Sequence, residues 1–280
     1  MSATADTSDD TLLELRALAV SVAREAGDLL ANQAGQVKVA ATKSSPTDVV
    51  TEMDRQSEEL ITARILSARP ADAILAEEGG LIGNTDNAPV LWVVDPLDGT
   101  VNYVYGLHDW AVSIAAEVAG EILVGAVYVP KRGEMFSAIR GHGAWLQTDE
   151  NYDWSPLRCR PSVPLDQALV GTGFGYLQDR RTVQGEVVAA LLPKVRDIRR
   201  IGVASVDLCA VAAGRLDAYY ERGLNYWDWA AGALAAAEAG AVVGGLNDNP
   251  VSKEMTVAAT PGLFGSLVAE LVKLNPERDA

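Results

Sequence analysis

Apolar residues near the start of the chain recur at the period of an amphipathic helix. Leu15, Leu18, Val22 and Leu29 are separated by three, four and seven positions, with charged residues between them. This spacing places the apolar side chains on one face and predicts a packing helix over 11–31.

A second helix is predicted over 52–68. Its inward positions are apolar and its outward positions charged: Ile61, Ile65 and Leu66 against Glu58, Glu59 and Arg64. Between the two helices, 37–41 alternates like a strand and 42–47 has the composition of a turn.

Short apolar runs in the next part of the chain predict strands. Residues 73–76 are apolar and stop at an acidic turn, and 80–90 is rich in Gly, Asn and Asp, which indicates a surface loop. The run LWVVD at 91–95 is typical of a strand buried on both faces. Two further strands are predicted over 110–118 and 121–129.

A stretch rich in Pro and Arg, 154–164, is the expected boundary between an N-terminal half, 11–157, and a C-terminal half, 158–280. The second half alternates between the two element types, with strands predicted at 168–172, 196–201, 216–221 and 241–245 and helices at 182–192, 203–213 and 228–239. Such alternation predicts a layered α/β fold.

The composition narrows the classes of function. The chain has 280 residues, of which 49% are hydrophobic and 22% charged, so it is globular rather than disordered. The 23 basic and 38 acidic residues give a net charge of −15. Such a charge repels phosphate backbones, so we expect no direct nucleic-acid binding.

Two cysteines and two histidines restrict the chemistry further. A disulfide framework and a histidine-rich zinc site are both excluded, so a metal would be a hard ion held by oxygens. No apolar run has the ~20 residues that a membrane span needs, and the acidic start MSATADTSDD does not resemble a signal peptide. We therefore expect a soluble cytoplasmic protein.

The sharpest local feature is the hexapeptide DPLDGT at 95–100, which follows the strand at 91–95. Ligands of open α/β sheets bind beyond the carboxyl ends of strands. Asp95 and Asp98 can converge there with the Leu97 carbonyl, and a helix opening at Thr100 would offer free amides to a phosphate. The same residues also make a good turn, so the hexapeptide alone leaves both interpretations open.

Four other acidic groups lie at predicted strand ends or helix starts: Glu77-Glu78, the segment from Asp48 to Asp54, Glu221 and Asp228. Each has a plain structural alternative, such as a solvated turn or a helix N-cap. Together they form a set of oxygen ligands of the kind that Mg²⁺ prefers. Close carboxylates repel one another, which a bound cation would offset.

At these residues the sequence resembles the inositol monophosphatase family of Mg²⁺-dependent, lithium-sensitive phosphatases. The matching segments are KSSPTDVVTEMD (43–54), AEEG (76–79), WVVDPLDGTVNY (92–103) and GRLDAYYERGLNYWDWAAG (214–232). They span most of the chain, and DPLDGTxN with WDxAAG is a specific pair. The resemblance implies an αβαβα sandwich of the sugar-phosphatase type, a homodimer, and hydrolysis of inositol monophosphate without a phosphoenzyme.

The resemblance also implies roles for individual residues. Two to three Mg²⁺ ions would be held by Glu77, Asp95, the Leu97 carbonyl, Asp98 and Asp228. The catalytic residues would be Glu77, Asp54 and Thr100, the last two acting on the attacking water. Substrate contacts would come from Asp98, Gly99, Thr100, Ala204, Glu221 and Asp228.

Other substrates and another class of function remain open. Val203 stands where the family usually has a small polar residue, and Trp229 is bulky beside Asp228. Histidinol phosphate, fructose 1,6-bisphosphate and 3′-phosphoadenosine phosphate are therefore alternative substrates. A non-catalytic role is a further alternative, because some members of the family act through protein partners in transcription and ribosome assembly.

Three further features of the sequence are expected to have mainly structural roles. GTGFG at 171–175 is followed by Tyr176, so it fails the dinucleotide-binding pattern, and we expect a turn near the substrate pocket. The cluster of Arg196, Arg199 and Arg200 is expected to be solvated or to lie in a dimer interface, with phosphate recognition as the less favoured alternative. Cys209 is expected to be a buried thiol.

Overall fold

The first helix packs through a stripe of small and aliphatic side chains. In the computed structural model, which describes residues 8–34, 39–42 and 49–279, α1 covers Asp9–Gln33 and begins at an N-cap, Ser8. Its buried stripe is Leu12, Leu15, Ala19, Val22, Ala26 and Leu30. The predicted helix is confirmed, although Leu18 and Leu29 lie at the edge of the stripe and are only half-buried.

A small hairpin-like sheet precedes the second helix. β1 (Val39–Thr42) pairs antiparallel with β2 (Val49–Thr51), and α2 (Glu52–Ala68) follows directly. The predicted helix over 52–68 is confirmed. Of the turn predicted over 42–47, Thr42 ends β1 and 43–47 lie outside the described residues, as do the first two residues of the strand predicted over 37–41.

Eight strands form the larger sheet, in the order β10-β9-β8-β7-β6-β5-β3-β4. Their bounds are β3 Ala73–Ala76, β4 Gly80–Ile82, β5 Leu91–Asp98, β6 Ala111–Val118, β7 Glu121–Val129, β8 Glu134–Ile139, β9 Gly143–Thr148 and β10 Asn151–Pro156, with a short helix α3 (Thr100–Val104) after β5. One expectation was wrong in part, since the loop predicted over 80–90 begins as a strand, β4. The first three residues of the stretch 154–164 lie in β10.

The smaller sheet has five strands in the order β12-β11-β13-β15-β14. Its part of the chain contains β11 Leu169–Thr172, α4 Gln178–Leu191, β12 Asp197–Arg199, α5 Ala204–Ala212, β13 Ala218–Glu221, α6 Tyr226–Glu238, β14 Val242–Gly244, β15 Thr256–Ala259 and α7 Pro261–Leu274. β11 is parallel to β12 and β13, so their carboxyl ends share one edge.

The two sheets alternate with three helical layers. Side chains of α1 and α2 share a core with one face of the larger sheet, and α5 and α6 cover its other face. The same two helices pack against the smaller sheet, whose outer face is covered by α4 and α7. This order of layers confirms the layered α/β fold predicted from the alternation of elements, and it is the αβαβα sandwich that the family resemblance implies. The division into two halves near residue 157 stays a prediction.

None of the described helices combines the length and the hydrophobicity that a membrane crossing requires.

Candidate active site

One cavity of about 410 Å³ collects nearly all of the residues that the sequence singles out. Its lining includes Glu77, Asp95, Leu97, Asp98, Gly99, Thr100, Ala204, Glu221 and Asp228. These residues come from segments that are far apart in the chain. The fold therefore brings these predicted site residues to one cavity, whereas the role of each residue stays a prediction.

Parallel pairing brings the first two acids to the same edge. β3 and β5 are parallel neighbours in which Ala76 pairs with Val94. The next residues, Glu77 and Asp95, therefore lie together beyond the pair, and the Glu77 amide donates to the Val94 carbonyl at 3.2 Å. Asp95 is almost fully buried, at 2% exposure.

An irregularity in β5 turns its two aspartates toward one side. Asp95 pairs with Ser113 and Asp98 pairs with Ala111, so β5 contains one residue more than β6 over this interval. In a regular strand, residues three apart point to opposite faces, and an extra residue reverses that relation. The strand predicted to end at Asp95 in fact continues to Asp98 because of this bulge.

Gly99 makes the turn from the bulged strand into α3. Its φ is +91°, in the left-handed region, and a Cβ atom there would lie 2.7 Å from Cγ2 of Val203. Glycine is therefore required both by the backbone and by the approach of the next segment. The helix that the sequence suggests after Gly99 is confirmed as α3, Thr100–Val104.

Asp54 and Thr100 are in direct contact. Asp54 Oδ2 accepts hydrogen bonds from the amide and hydroxyl of Thr51, which caps α2, and the Thr100 hydroxyl donates to Asp54 Oδ1 at 2.9 Å. The Leu97 carbonyl also lies 3.1 Å from the Thr100 hydroxyl. The carboxylate thus caps a helix with one oxygen and reaches the cavity wall through Thr100 with the other.

Asp98 joins the strand to the start of α5. Its Oδ2 accepts hydrogen bonds from the Ser205 amide at 2.8 Å and the Ser205 hydroxyl at 2.6 Å. Burial raises the pKa of Asp98 to about 6, although the bonds from Ser205 oppose the shift. Sequence reasoning missed Ser205, because a serine in the first turn of a helix carries no sign of a distant partner.

Asp228 both caps a helix and lines the cavity. It lies in the first turn of α6, where its Oδ2 accepts a hydrogen bond from the Asn225 amide at 2.6 Å. Burial raises its pKa well above the usual range, and the charges of Glu77 and Asp98 add to that shift. Asp228 therefore takes part in capping α6 and also lies beside the other acids of the cavity. Charge repulsion from Glu77 and Asp98 can raise its pKa only if these carboxylates are close neighbours.

Two residues of α2 fix the loops that carry the acids. The Ser57 hydroxyl donates to the Pro96 carbonyl at 2.8 Å, and Glu58 Oε2 accepts a hydrogen bond from the Glu78 amide at 2.8 Å. The predicted outward position of Glu58 is wrong, since it is only 8% exposed. Ser57 and Glu58 follow Asp54 at helical spacing, which is the signal that places all three on one face.

Glu221 ends β13 on the far wall of the cavity. The Tyr219 hydroxyl donates to its Oε2 at 2.5 Å, and burial raises the pKa of Glu221 to about 7. Asp207 of α5, 1% exposed, lies in the field of Glu221 and Asp98, and burial raises its pKa well above the usual range. Carboxylates are thus crowded on this wall as well.

The donor set fits a hard divalent cation. It consists of carboxylate oxygens and one backbone carbonyl. The charges of Glu77 and Asp98 add to the raised pKa of Asp228, which reflects a crowding of acids that a cation would relieve. Across residues 8–34, 39–42 and 49–279, no three His, Cys, Asp or Glu side chains form a ready-made metal cage. Mg²⁺ suits such a site, since it commonly keeps several waters and binds few protein carboxylates together with substrate phosphate.

Four basic side chains line the same cavity as these acids: Arg180, Arg200, Arg222 and Lys253. Arg200 is exposed, which agrees with the solvated role expected of the cluster at 196–200, and its guanidinium lies over the ring of Phe174. The dimer-interface alternative stays a prediction. Phe174 and Gly175 also line the cavity, as expected of the turn after β11. Cys209 is fully buried, which confirms a core thiol.

Comparisons with known proteins agree with this arrangement. A profile of the inositol monophosphatase family matches residues 11–276. An inositol-1-monophosphatase of Mycobacterium leprae is 46% identical over 282 residues, 94% of either chain. A Vibrio cholerae protein named Nus factor SuhB is 40% identical over 228 residues, 81% of this chain and 83% of that protein. The solved structure of Mycobacterium tuberculosis SuhB has a TM-score of 0.80 at 42% identity, covering 95% of this chain and 98% of that one.

Proposed function

The chain belongs to the inositol monophosphatase family, and we propose that it is a Mg²⁺-dependent phosphomonoesterase that hydrolyses inositol monophosphate. The observation that carries the proposal is the gathering of Glu77, Asp95, Asp98 and Asp228 around one cavity, beside the contact between Asp54 and Thr100. No Ser, Cys or His nucleophile is required, because water can attack phosphorus in line.

The proposed ligand sets follow the family resemblance. Glu77, Asp95 and the Leu97 carbonyl would hold one ion, Asp95, Asp98 and Asp228 would hold a second, and Glu77 would also hold a weaker third. When bound, Mg²⁺ would supply charge neutralisation for the phosphate and lower the pKa of a coordinated water. Asp95 is the ligand shared by the first two ions, and its depth in the cavity wall supports that position.

The residues around the ions orient the water and the substrate. The Thr100 hydroxyl donates to Asp54, so its oxygen is directed to accept a hydrogen bond from the attacking water, and Asp54 takes the proton that the water gives up. The backbone at Gly99 and Thr100 opens α3 and holds the phosphate. Glu221 and the start of α5 at Ala204 contact the hydroxyls of the alcohol.

Magnesium is expected to stabilise the folded protein. An ion that binds only the folded state at 100 times its Kd adds about 2.7 kcal/mol, which for a chain of this length raises Tm by roughly 5 °C. Differential scanning calorimetry with and without millimolar MgCl₂ measures the shift. The Asp95→Asn variant provides the comparison, since a shift of equal size in that variant would place the bound ion elsewhere.

Lithium is expected to inhibit phosphate release. Li⁺ is a small hard cation that accepts the same oxygen ligands, yet it carries half the charge of Mg²⁺ and stabilises the leaving oxygen less. Initial rates of phosphate release from inositol 1-phosphate over a LiCl series, with matched KCl as the control for ionic strength, measure the effect. Equal rates in the two salts would contradict the proposed metal sites.

A second candidate is a role through protein partners. It is favoured by relatives named Nus factor SuhB, one of which, from Escherichia coli, is 37% identical over 258 residues. The two functions are distinguished by turnover, since a protein that acts only through partners releases no phosphate with Mg²⁺ from any ester in a substrate panel. The panel would compare kcat/KM for inositol 1-phosphate, histidinol phosphate, fructose 1,6-bisphosphate and 3′-phosphoadenosine phosphate. The homodimer is also a prediction, which light scattering tests.

A further inference from the structure

Two arginines of the cavity wall share a single carboxylate from the far end of the chain. Arg180 lies in α4 and Arg222 directly follows β13, and both line the cavity. Arg180 Nε donates to Asp279 Oδ2 at 3.0 Å, and Arg222 forms an ion pair with Asp279 Oδ1. The side chains of Asp279 and Arg222 are only 4% and 7% exposed, so the contact is shielded from water.

The backbone packs closely against Arg180. A Cβ atom on Gly223 would lie 2.4 Å from Arg180 Nη1, and one on Gly175 would lie 3.0 Å from its Cδ. Gly223 also has a φ of +97°, which favours glycine. The position of Arg180 is therefore set by close packing as well as by its ion pair with Asp279.

The pair retains capacity for an additional anion. The Nε of Arg222 is buried and has no hydrogen-bond partner within the described part of the chain. Burial and the charge of Arg180 lower the pKa of Arg222, as expected for like charges held close together. Guanidinium groups bind carboxylate and phosphate through the same paired N–H donors, so an anion that enters the cavity competes with Asp279 for them.

We propose that Arg180 and Arg222 form a second anion-binding position in the cavity, and that Asp279 occupies it as an internal competitor. The inference rests on the proposed function for the place of the first phosphate, beside the carboxylates. The ligand class for the second position is a phosphate on the alcohol part of the ester, as in a sugar bisphosphate. By engaging both arginines and cancelling one of their two positive charges, Asp279 makes the cavity favour monophosphates whose alcohol part is uncharged.

The test compares two ligands that differ by one phosphate. Isothermal titration calorimetry gives Kd for fructose 1,6-bisphosphate and fructose 6-phosphate, with Ca²⁺ replacing Mg²⁺ to slow turnover, since Ca²⁺ takes the same oxygen ligands in a looser geometry. In Asp279→Asn, which keeps the shape and removes the charge, we expect the bisphosphate to bind about tenfold more tightly relative to the monophosphate than in the unaltered protein.

Three variants separate selectivity from folding and from overall charge. Asp279→Glu retains the carboxylate and is expected to keep the original ratio of affinities, and Asp279→Asn with Arg180→Gln is expected to lose the gain. Asp86→Asn removes one charge from an exposed loop and is expected to leave the ratio unchanged. Thermal melting checks that each variant is folded.

The outcomes distinguish this inference from the proposed function. An equal ratio of affinities in the unaltered protein and in folded Asp279→Asn overturns the second anion-binding position alone. A gain that persists without Arg180 also overturns it, because the gain would then come from general charge. Failure of both sugar phosphates to bind any variant overturns the second anion-binding position, whereas failure of inositol 1-phosphate to bind under the same conditions overturns the proposed function.

Discussion

Replacing Asp95 by asparagine is expected to lower kcat/KM for phosphate release by about a thousandfold. Asp95 is the one carboxylate assigned to both ions, and it is held in place by the Leu97 amide, which donates to its Oδ1 at 3.0 Å. Asparagine keeps the shape but loses the charge. Loss of about 4 kcal/mol of metal-dependent stabilisation corresponds to about three factors of ten in rate.

The measurement is the initial rate of phosphate release from inositol 1-phosphate over a range of MgCl₂ concentrations. Asp86→Asn is the matched control, because it removes the same charge from an exposed loop outside the cavity and is expected to retain the full rate. If folded Asp95→Asn kept more than about a tenth of the activity, the assignment of Asp95 to both ions would be wrong.

Gly99→Ala is expected to destabilise the protein by about 3 kcal/mol and to reduce activity in the fraction that remains folded. Left-handed backbone costs a residue with a Cβ roughly 1–2 kcal/mol, and overpacking against a buried neighbour costs a further ~1–3 kcal/mol. The neighbour is Val203, whose Cγ2 would lie 2.7 Å from the new Cβ atom. The turn that carries Asp98 and Thr100 must shift to relieve the overlap.

Two companion variants divide this effect into its parts. Gly120→Ala has a φ of +83° and no atom within 4 Å of the added Cβ atom, so it reports backbone strain alone. Val203→Ala removes the clash but opens a cavity, because Val203 is only 1% exposed. Within the Val203→Ala background, Gly99→Ala is therefore expected to cost about half as much stability as it does in the unaltered protein. Urea denaturation measures each free energy of unfolding. Equal losses for Gly99→Ala and Gly120→Ala would show that contact with Val203 is unimportant.

Elements with strong apolar periodicity or unbroken buried runs could be predicted from the sequence. The helices α1 and α2 and the strands β6 and β7 show such patterns, and the structure confirms them. β10 could not be predicted, because this edge strand is almost wholly exposed and its side chains do not alternate between core and water. The helix α7 was missed although Leu263, Leu267 and Leu271 recur every four residues on its buried face.

The sequence by itself determined the kind of chemistry. A chain with two histidines and acids at successive strand ends and helix starts can offer a metal little other than carboxylate and carbonyl oxygen, and no packing arrangement changes that donor type. It also determined which residues belong to DPLDGT and WDxAAG, since these motifs are local.

Only the tertiary structure decided which acids meet and in what environment. The bulge in β5 turns Asp98 toward Asp95, and α5 and α6 lie between the sheets so that Ser205 reaches Asp98 and Asp228 lines the same cavity. Arg180 and Asp279 are 99 residues apart and pair only because α4 lies beside the end of the chain. The physical reason is that convergence and burial depend on the register of strands and the packing of layers. Those quantities involve residues far apart in sequence, whereas a motif records only its neighbours.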